Sequence, residues 1–356
     1  MTQTPRPEAV IVAGGFGTRL LPLTARRPKH LLDVGGVPFL EHQIARLAEA
    51  GVDHVVLATS YHADMFAPVL GDGSRWGIRL DYVMEEEPLG TGGAIRNVAD
   101  VLGTDPDGAV VILNGDVLSG HDLLGQLKDF DSPRDGQRVD VSLHLVTVDD
   151  ARPFGCVPTD DAGRVLDFVE KSDNPVTNQI NAGCYVFRRD VIDTIPAGHV
   201  VSVERETFPG LVADGRLVVG FVDSAYWRDV GTPEALVAAS RDVVLGTAPT
   251  PAVSAAPPAR VDPSASVSGT VSGGSVVMSG ASVAAGATVT GSVLMTGARV
   301  GEGARVTDSA VGPGAVVGAD AVLDGVTLGD DASVAPGASP APGTRVDCGA
   351  TFPDEV

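Results

Sequence analysis

The sequence predicts an α/β protein in two parts: a doubly wound, mostly parallel sheet, followed by a left-handed parallel β-helix of hexapeptide repeats. Three observations carry this. Short apolar runs alternate with amphipathic helical stretches from residue 9 to about 245. The Pro/Ala/Ser-rich stretch GTAPTPAVSAAPPAR then breaks that pattern at 246–260. Beyond it aliphatic residues recur every six positions, and no aromatic residue occurs until Phe352. The expected division is a catalytic domain at 1–245, a linker at 246–260 and a repeat domain at 261–356.

The first strand is the apolar run AVIV at 9–12. In PFLEHQIARLAEAG, Leu40, Ile44 and Leu47 fall at i, i+4 and i+7, an amphipathic helix that stops at Gly51. HVVLATS at 54–60 follows as a second strand and completes a β-α-β unit with a right-handed crossover. Further strands are expected at 79–84, 109–114, 139–148, 165–170, 184–187 and 217–222. GTPEALVAAS opens a helix, with Thr232 as its N-cap and Pro233 in its first turn.

In the tail the six-residue phase runs through Val261, Val267, Val277, Val283, Val289, Val300, Val306, Val316, Val322, Leu328 and Val334, with slips of one residue at corners. Each hexapeptide forms one side of a triangular coil with its aliphatic residue inward. At roughly 18 residues per coil this makes about four or five coils.

A net charge of −21 argues against nucleic acid or an anionic membrane surface as partner. There is no apolar run of about 18 residues to span a membrane, and no apolar signal core precedes the first strand. Cys156, Cys184 and Cys348 lie far apart with no CxxC, which suits a reduced, cytoplasmic setting. The chain has only three lysines, Lys29, Lys128 and Lys171, so each is an unusual choice.

The first strand ends in Gly14-Gly15-Phe16-Gly17, and the chain then turns basic at Arg19, Arg26, Arg27 and Lys29. A Walker loop needs a lysine after its last glycine, and here there is none. A dinucleotide fingerprint needs a third glycine where Leu20 stands, and an acidic residue where the second strand ends in Thr59-Ser60. What remains is a glycine loop whose backbone N–H groups can face an anion, with Arg19 and Lys29 as cations for phosphate. The alternative is a tight turn beside a solvated basic stretch. Asp116 in VVILNGDV falls just past a strand end, where open α/β sheets bind ligands, and Asp229 in AYWRDVGTP precedes a helix. Two aspartates from distant segments suit Mg²⁺, which takes oxygen ligands and shares its shell with phosphates and water.

The motifs GGFGTRLLPLT…RPK, EEEPLGTGGAI, LNGDV, FVEK, INAGCYVF and YWRDVGTP stand in the order found in sugar-1-phosphate nucleotidylyltransferases. The chain resembles that family over residues 9–245. AEAGVDHVVLATSY and SVERETFP resemble in particular the subgroup that uses GTP and mannose 1-phosphate and carries a hexapeptide tail. The resemblance implies a Rossmann-like nucleotidyltransferase domain in which Ala13, Gly14, Gly15, Gly17, Thr18 and Arg19 embrace the nucleoside triphosphate and Lys29 contacts its phosphates. Glu87, Pro88, Leu89, Gly90 and Thr91 edge the base pocket. Asp116 and Asp229 hold Mg²⁺. Gly155, Glu170, Asn181 and Gly183 contact the sugar, and Lys171 grips its phosphate. His30, Phe154, Cys156 and Ser172 depart from the family pattern; His30 is either a phosphate donor or a tolerated loop residue.

The chemistry so implied is in-line attack of the sugar phosphate on the α-phosphorus of GTP, with pyrophosphate leaving and no protein nucleophile. Other donors and sugars (dTTP or UTP with glucose 1-phosphate) and a non-catalytic regulatory subunit are the alternatives. An acyltransferase tail would need a histidine base, and the last histidine is His199. The β-helix is then structural or a surface for homo-oligomer assembly.

Overall fold

A computed structural model describes residues 6–60, 63–169, 171 and 173–353. Seven strands form one sheet: β1 (Glu8–Ala13), β2 (His54–Thr59), β3 (Arg79–Met84), β4 (Ala109–Asn114), β5 (Val141–Thr147), β6 (Gln179–Arg188) and β7 (Val218–Asp223). Their order across the sheet is β7-β5-β6-β4-β1-β2-β3. Neighbours are parallel except β6, which runs antiparallel to β4 and β5. Val10 of β1 lies between Val56 and Ile112, and all three are fully buried. That is why the inner strands read as continuous apolar runs rather than alternating ones. From β1 the chain winds outward to β2 and β3, then returns to place β4 on the other side of β1. The carboxyl ends of β1 and β4 therefore flank the switch point where sheets of this kind bind ligands.

Helix α1 (Phe39–Glu49) buries Leu40, Ile44 and Leu47 as its spacing predicts. Helix α2 (Gly90–Asn97) follows β3, and α3 (Leu123–Phe130) is capped by the Asp122 carboxylate, which accepts from Gly125 N. In α4 (Pro233–Leu245), Thr232 accepts from Ala235 N at 3.2 Å, the expected N-cap. One expected strand is corrected: 165–169 forms isolated bridges and no ladder. Its backbone N–H groups go to three different neighbours, with Val165 bonding Val218, Leu166 bonding Pro158 and Val169 bonding Cys156. No partner strand runs alongside long enough to pair.

By packing, the chain divides into two compact units. The first comprises residues 1–15 and 44–227 and holds the sheet; the second comprises 16–43 and 228–356. The change of sequence pattern falls elsewhere, at about residue 246. The second unit contains the β-helix, with two stacks of six short parallel strands and a third stack of four. Val277, Leu294, Val311 and Leu328 stack in register, as do Val283, Val300, Val317 and Val334, and Val289, Val306 and Leu323. All are buried, each side chain contributing about 1.5–3 kcal/mol.

The step between these partners is seventeen residues, one shorter than expected. The expected inward positions Val316 and Val322 are accordingly corrected to Val317 and Leu323, because these inner coils are one residue shorter than eighteen. One corner carries a ladder of buried serines. The hydroxyls of Ser275, Ser292 and Ser309 accept from the backbone N–H of Ser292, Ser309 and Val326 in the following coil. Each pays no unsatisfied-donor cost at a turn that would otherwise strand an amide. In the first coil, by contrast, Val261 is 42% exposed and Val267 38%.

Candidate active site

The candidate residues fall into two groups, one in each unit. In the first unit, Ala13 closes β1 and the chain passes into Gly14 and Gly15, whose N–H donates to Ser60 Oγ at 3.3 Å. Asp116 sits in the turn after β4, and Gly115 N bonds Val12 O at 2.9 Å. The turn bearing Asp116 is thereby stitched to the end of β1 that leads into the glycines. This is the carboxyl edge of the sheet, the edge at which open α/β sheets bind ligands.

A polar network lies beside it in the same unit. Asn181 Nδ2 donates to the Tyr185 hydroxyl at 2.8 Å, and Asn114 Nδ2 approaches the same oxygen at 3.4 Å. The Tyr185 hydroxyl points to Glu204 Oε1 at 3.4 Å, while Thr91 Oγ1 and Ser202 Oγ donate to Glu204 Oε2 at 3.0 and 2.9 Å. Thr91 Oγ1 in turn accepts from Val203 N at 3.0 Å. Gly183 N donates to Asn181 Oδ1 at 3.0 Å. Gly183 has φ +75°, and a side chain there would press on Asn114 Nδ2 and Val117, so only glycine keeps this strand close to β4. Burial, with the Glu204 carboxylate nearby, holds the Tyr185 hydroxyl well above its usual range, so it stays a neutral donor. Thr91, Asn181 and Gly183, expected from the resemblance, are thus joined by Tyr185 and Glu204.

Sequence reasoning missed Tyr185 and Glu204 as members. Both lie inside quoted motifs, but nothing local shows that they meet. The first turn of α2 is held likewise, with Gly92 N bonding Val201 O at 2.8 Å and Val201 N bonding Leu89 O at 2.9 Å. Gly155 lies next to Cys156, which exchanges backbone bonds with Val169, and Lys171 follows two residues on as an exposed side chain. Glu170 and Ser172 lie outside the described residues. Phe154 meets Trp227 edge to face at 5.6 Å, and Trp227 Nε1 donates to Ala182 O at 2.9 Å.

In the second unit the loop continues through Gly17, at φ +61°, whose α-carbon packs against Lys29 and Thr24; a β-carbon there would lie 3.1 Å from each. Thr24 Oγ1 donates to Gly17 O at 2.8 Å. A short 3₁₀ turn, Thr18–Leu20, carries Arg19, whose Nη2 lies 3.8 Å from Asp229 Oδ2. Gly231 lets the guanidinium come close to the backbone, since a β-carbon there would meet Arg19 Nη2 at 2.5 Å. A half-exposed pair at that distance is worth little in stability. Its effect is to hold a cation and a carboxylate side by side.

The other two arginines of this stretch are engaged elsewhere. Arg26 bonds Asp331 at 2.8 Å and Arg27 bonds Asp330 at 3.1 Å, so both are spent on β-helix carboxylates. His30 is 2% exposed, so its ring is buried within the unit. Among the described residues no group of three or more His, Cys, Asp or Glu side chains converges as a protein cage for a metal. The donor chemistry of Asp116 and Asp229 nonetheless fits Mg²⁺, a hard cation usually bound through one or two carboxylates with substrate phosphates completing the shell.

Comparisons with known proteins match two successive stretches of the chain. Residues 8–244 match the nucleotidyl transferase family, and residues 257–340 match the GlmU-like C-terminal hexapeptide family. Over 251 residues, 70% of the chain, it is 54% identical to the mannose-1-phosphate guanylyltransferase of Mycobacterium tuberculosis, a match that takes in 68% of that protein. The mannose-1-phosphate guanyltransferase of Debaryomyces hansenii is 37% identical over 230 residues, 64% of the chain and 62% of the relative, so the match covers less than two thirds of that protein. Among solved structures, HddC from Yersinia pseudotuberculosis complexed with GMP-PN superposes with a TM-score of 0.57 at 30% identity. That superposition covers 66% of this chain and 99% of the other. The chain belongs to the nucleotidyl transferase family and carries a hexapeptide-repeat β-helix after the transferase region in sequence.

Proposed function

We propose that the protein transfers a guanylyl group from GTP to mannose 1-phosphate, forming GDP-mannose and releasing pyrophosphate. The observation that carries this reading is the loop itself: Gly17 packed on Lys29, with Arg19 held at 3.8 Å from Asp229. Cations and turned-in backbone amides of that kind suit a triphosphate. The choice of GTP and mannose 1-phosphate is supported by the names of the relatives, above all the mycobacterial one.

In this reading Gly14, Gly15, Gly17 and Thr18 present backbone N–H groups to the triphosphate, and Arg19 and Lys29 offset its charge. Pro88, Gly90 and Thr91 edge the base. Gly155, Glu170, Asn181 and Gly183 orient the sugar, and Lys171 holds its phosphate. The attacking oxygen is already anionic at neutral pH, so the chain's task is to bring two polyanions together in line. Asp116 and Asp229 would hold Mg²⁺, which when bound neutralises charge on the phosphates. Self-association through the β-helix belongs to the same reading. A second copy would cover Val261 and Val267 of the first coil, whose counterparts in the inner coils are buried. Among the described residues no helix is long and apolar enough to cross a membrane.

The test is pyrophosphate release from GTP with mannose 1-phosphate and Mg²⁺, beside dTTP or UTP with glucose 1-phosphate. Turnover confined to another pair would replace the substrates named here. Absence of turnover with every pair would favour a regulatory subunit.

A further inference from the structure

We infer that Arg345, near the far end of the β-helix, is a positioning residue for the glycine-arginine loop. The inference rests on the reading that this loop holds the nucleotide. Arg345 Nη1 donates to the carbonyl oxygens of Arg19 at 2.8 Å and of Leu21 at 3.0 Å, the two residues that flank the end of the short turn carrying Arg19. Its Nη2 lies 3.7 Å from Glu234, in the first turn of the helix that follows Asp229. One guanidinium therefore touches both arms that bring Arg19 and Asp229 together.

The contacts continue along the arm. Cys348 Sγ lies 3.6 Å from Pro22 O, and Arg26 and Arg27 are paired with Asp331 and Asp330. Asp330 is buried, so its pair with Arg27 is shielded from water in a way the Arg26 pair is not. Every one of these partners lies in the last coils of the β-helix. Arg345 itself stands on a strand paired with Thr327–Leu328, so the ladder beneath fixes its backbone. The loop by itself has little to stiffen it, because a 3₁₀ turn of three residues carries few bonds of its own. The β-helix supplies the missing rigidity at carbonyls 19, 21 and 22.

Arg345 performs no chemistry in this proposal. It sets where the Arg19 guanidinium rests, and a displacement of about 1 Å at such a residue costs up to about a hundredfold in rate. Arg345→Ala is expected to raise the KM for the nucleotide about tenfold, a displacement short of that limit, with the KM for the sugar phosphate little changed. Arg345→Lys keeps a cation able to reach both carbonyls and is expected to recover most of the loss. Arg241→Ala, which breaks the pair between Arg241 of α4 and Asp308 of the β-helix, is expected to leave both KM values at wild type.

Amide exchange without substrates provides a reading independent of activity. Exchange of residues 18–24 should rise in Arg345→Ala and not in Arg241→Ala. Arg345→Gln, which keeps a neutral donor on a shorter side chain, replaces the alanine variant if that fails to fold. Unchanged exchange at 18–24, or equal effects of the Arg345 and Arg241 substitutions, overturns the inference. If the wild-type protein turned over no nucleotide, the functional reading would fall, and the exchange result would still decide whether Arg345 positions the loop.

Discussion

The sheet and the β-helix use the same parallel pairing to opposite ends. In the sheet, each strand buries its middle and releases its carboxyl end, so Gly14, Gly15 and Asp116 emerge where the ladder stops. In the β-helix, the inner coils repeat one another at a step of seventeen, and their inward side chains stack in register. Its outward and corner residues are then available for other work, and Asp330, Asp331 and Arg345 hold the arm that carries Arg19. A regular scaffold and an irregular edge thus divide the labour: one supplies stiffness, the other chemistry.

The sharpest way to break that division is at the metal-fitting carboxylates. Asp116→Ala or Asp229→Ala should each reduce turnover to below about a tenth of wild type with the circular dichroism and melting transition retained. Retention of activity in both would remove them from the chemistry. A core deletion in the β-helix should do the reverse: Leu323→Ala is expected to cost about 2–5 kcal/mol, read as a shift of the denaturant midpoint. Val267→Ala, in the half-exposed first coil, should cost less than about 0.5 kcal/mol in the isolated chain, and a larger loss would mean that this coil is covered in solution.

Within the sheet, Glu204→Gln should lower kcat/KM about tenfold, because a carboxamide cannot accept from Thr91, Ser202 and Tyr185 together. A wild-type value would make the network a bystander.

A pH-dependent effect concerns the opposite, amino-terminal edge of the sheet. Burial raises the Glu8 carboxyl, but hydrogen bonds from His54 and Thr104 outweigh it and hold the group at about 2, against 4.5 in the unfolded chain. Its contribution to stability is therefore present above about pH 4.5 and is lost as pH falls toward 2. Glu8→Gln should flatten the acid limb of the stability curve between those values, and an unchanged limb would show that Glu8 does not titrate there.

Much of this was legible in the chain. The strands 79–84 and 109–114 have the bounds their apolar runs predict, and Thr232 caps its helix, because burial between two neighbours and capping are local in origin. The glycine loop, Asp116 and Asp229 were marked by residue type at strand and helix ends. The hexad phase failed at 316 and 322 for a physical reason: a corner can shorten by a residue without changing any local preference, and only the register of the coil below reveals it.

The sequence by itself determined the alternation of strands and helices, the solenoid, and the residue types able to meet two phosphates. Each follows from periodicity, capping or charge over a few neighbouring positions. Only the tertiary structure decided that Arg26 and Arg27 answer to carboxylates more than 300 residues away, and that Tyr185 and Glu204 close a network around Asn181. A pairing of that kind is set by how coils and strands stack, and stacking leaves no trace in the spacing of either partner.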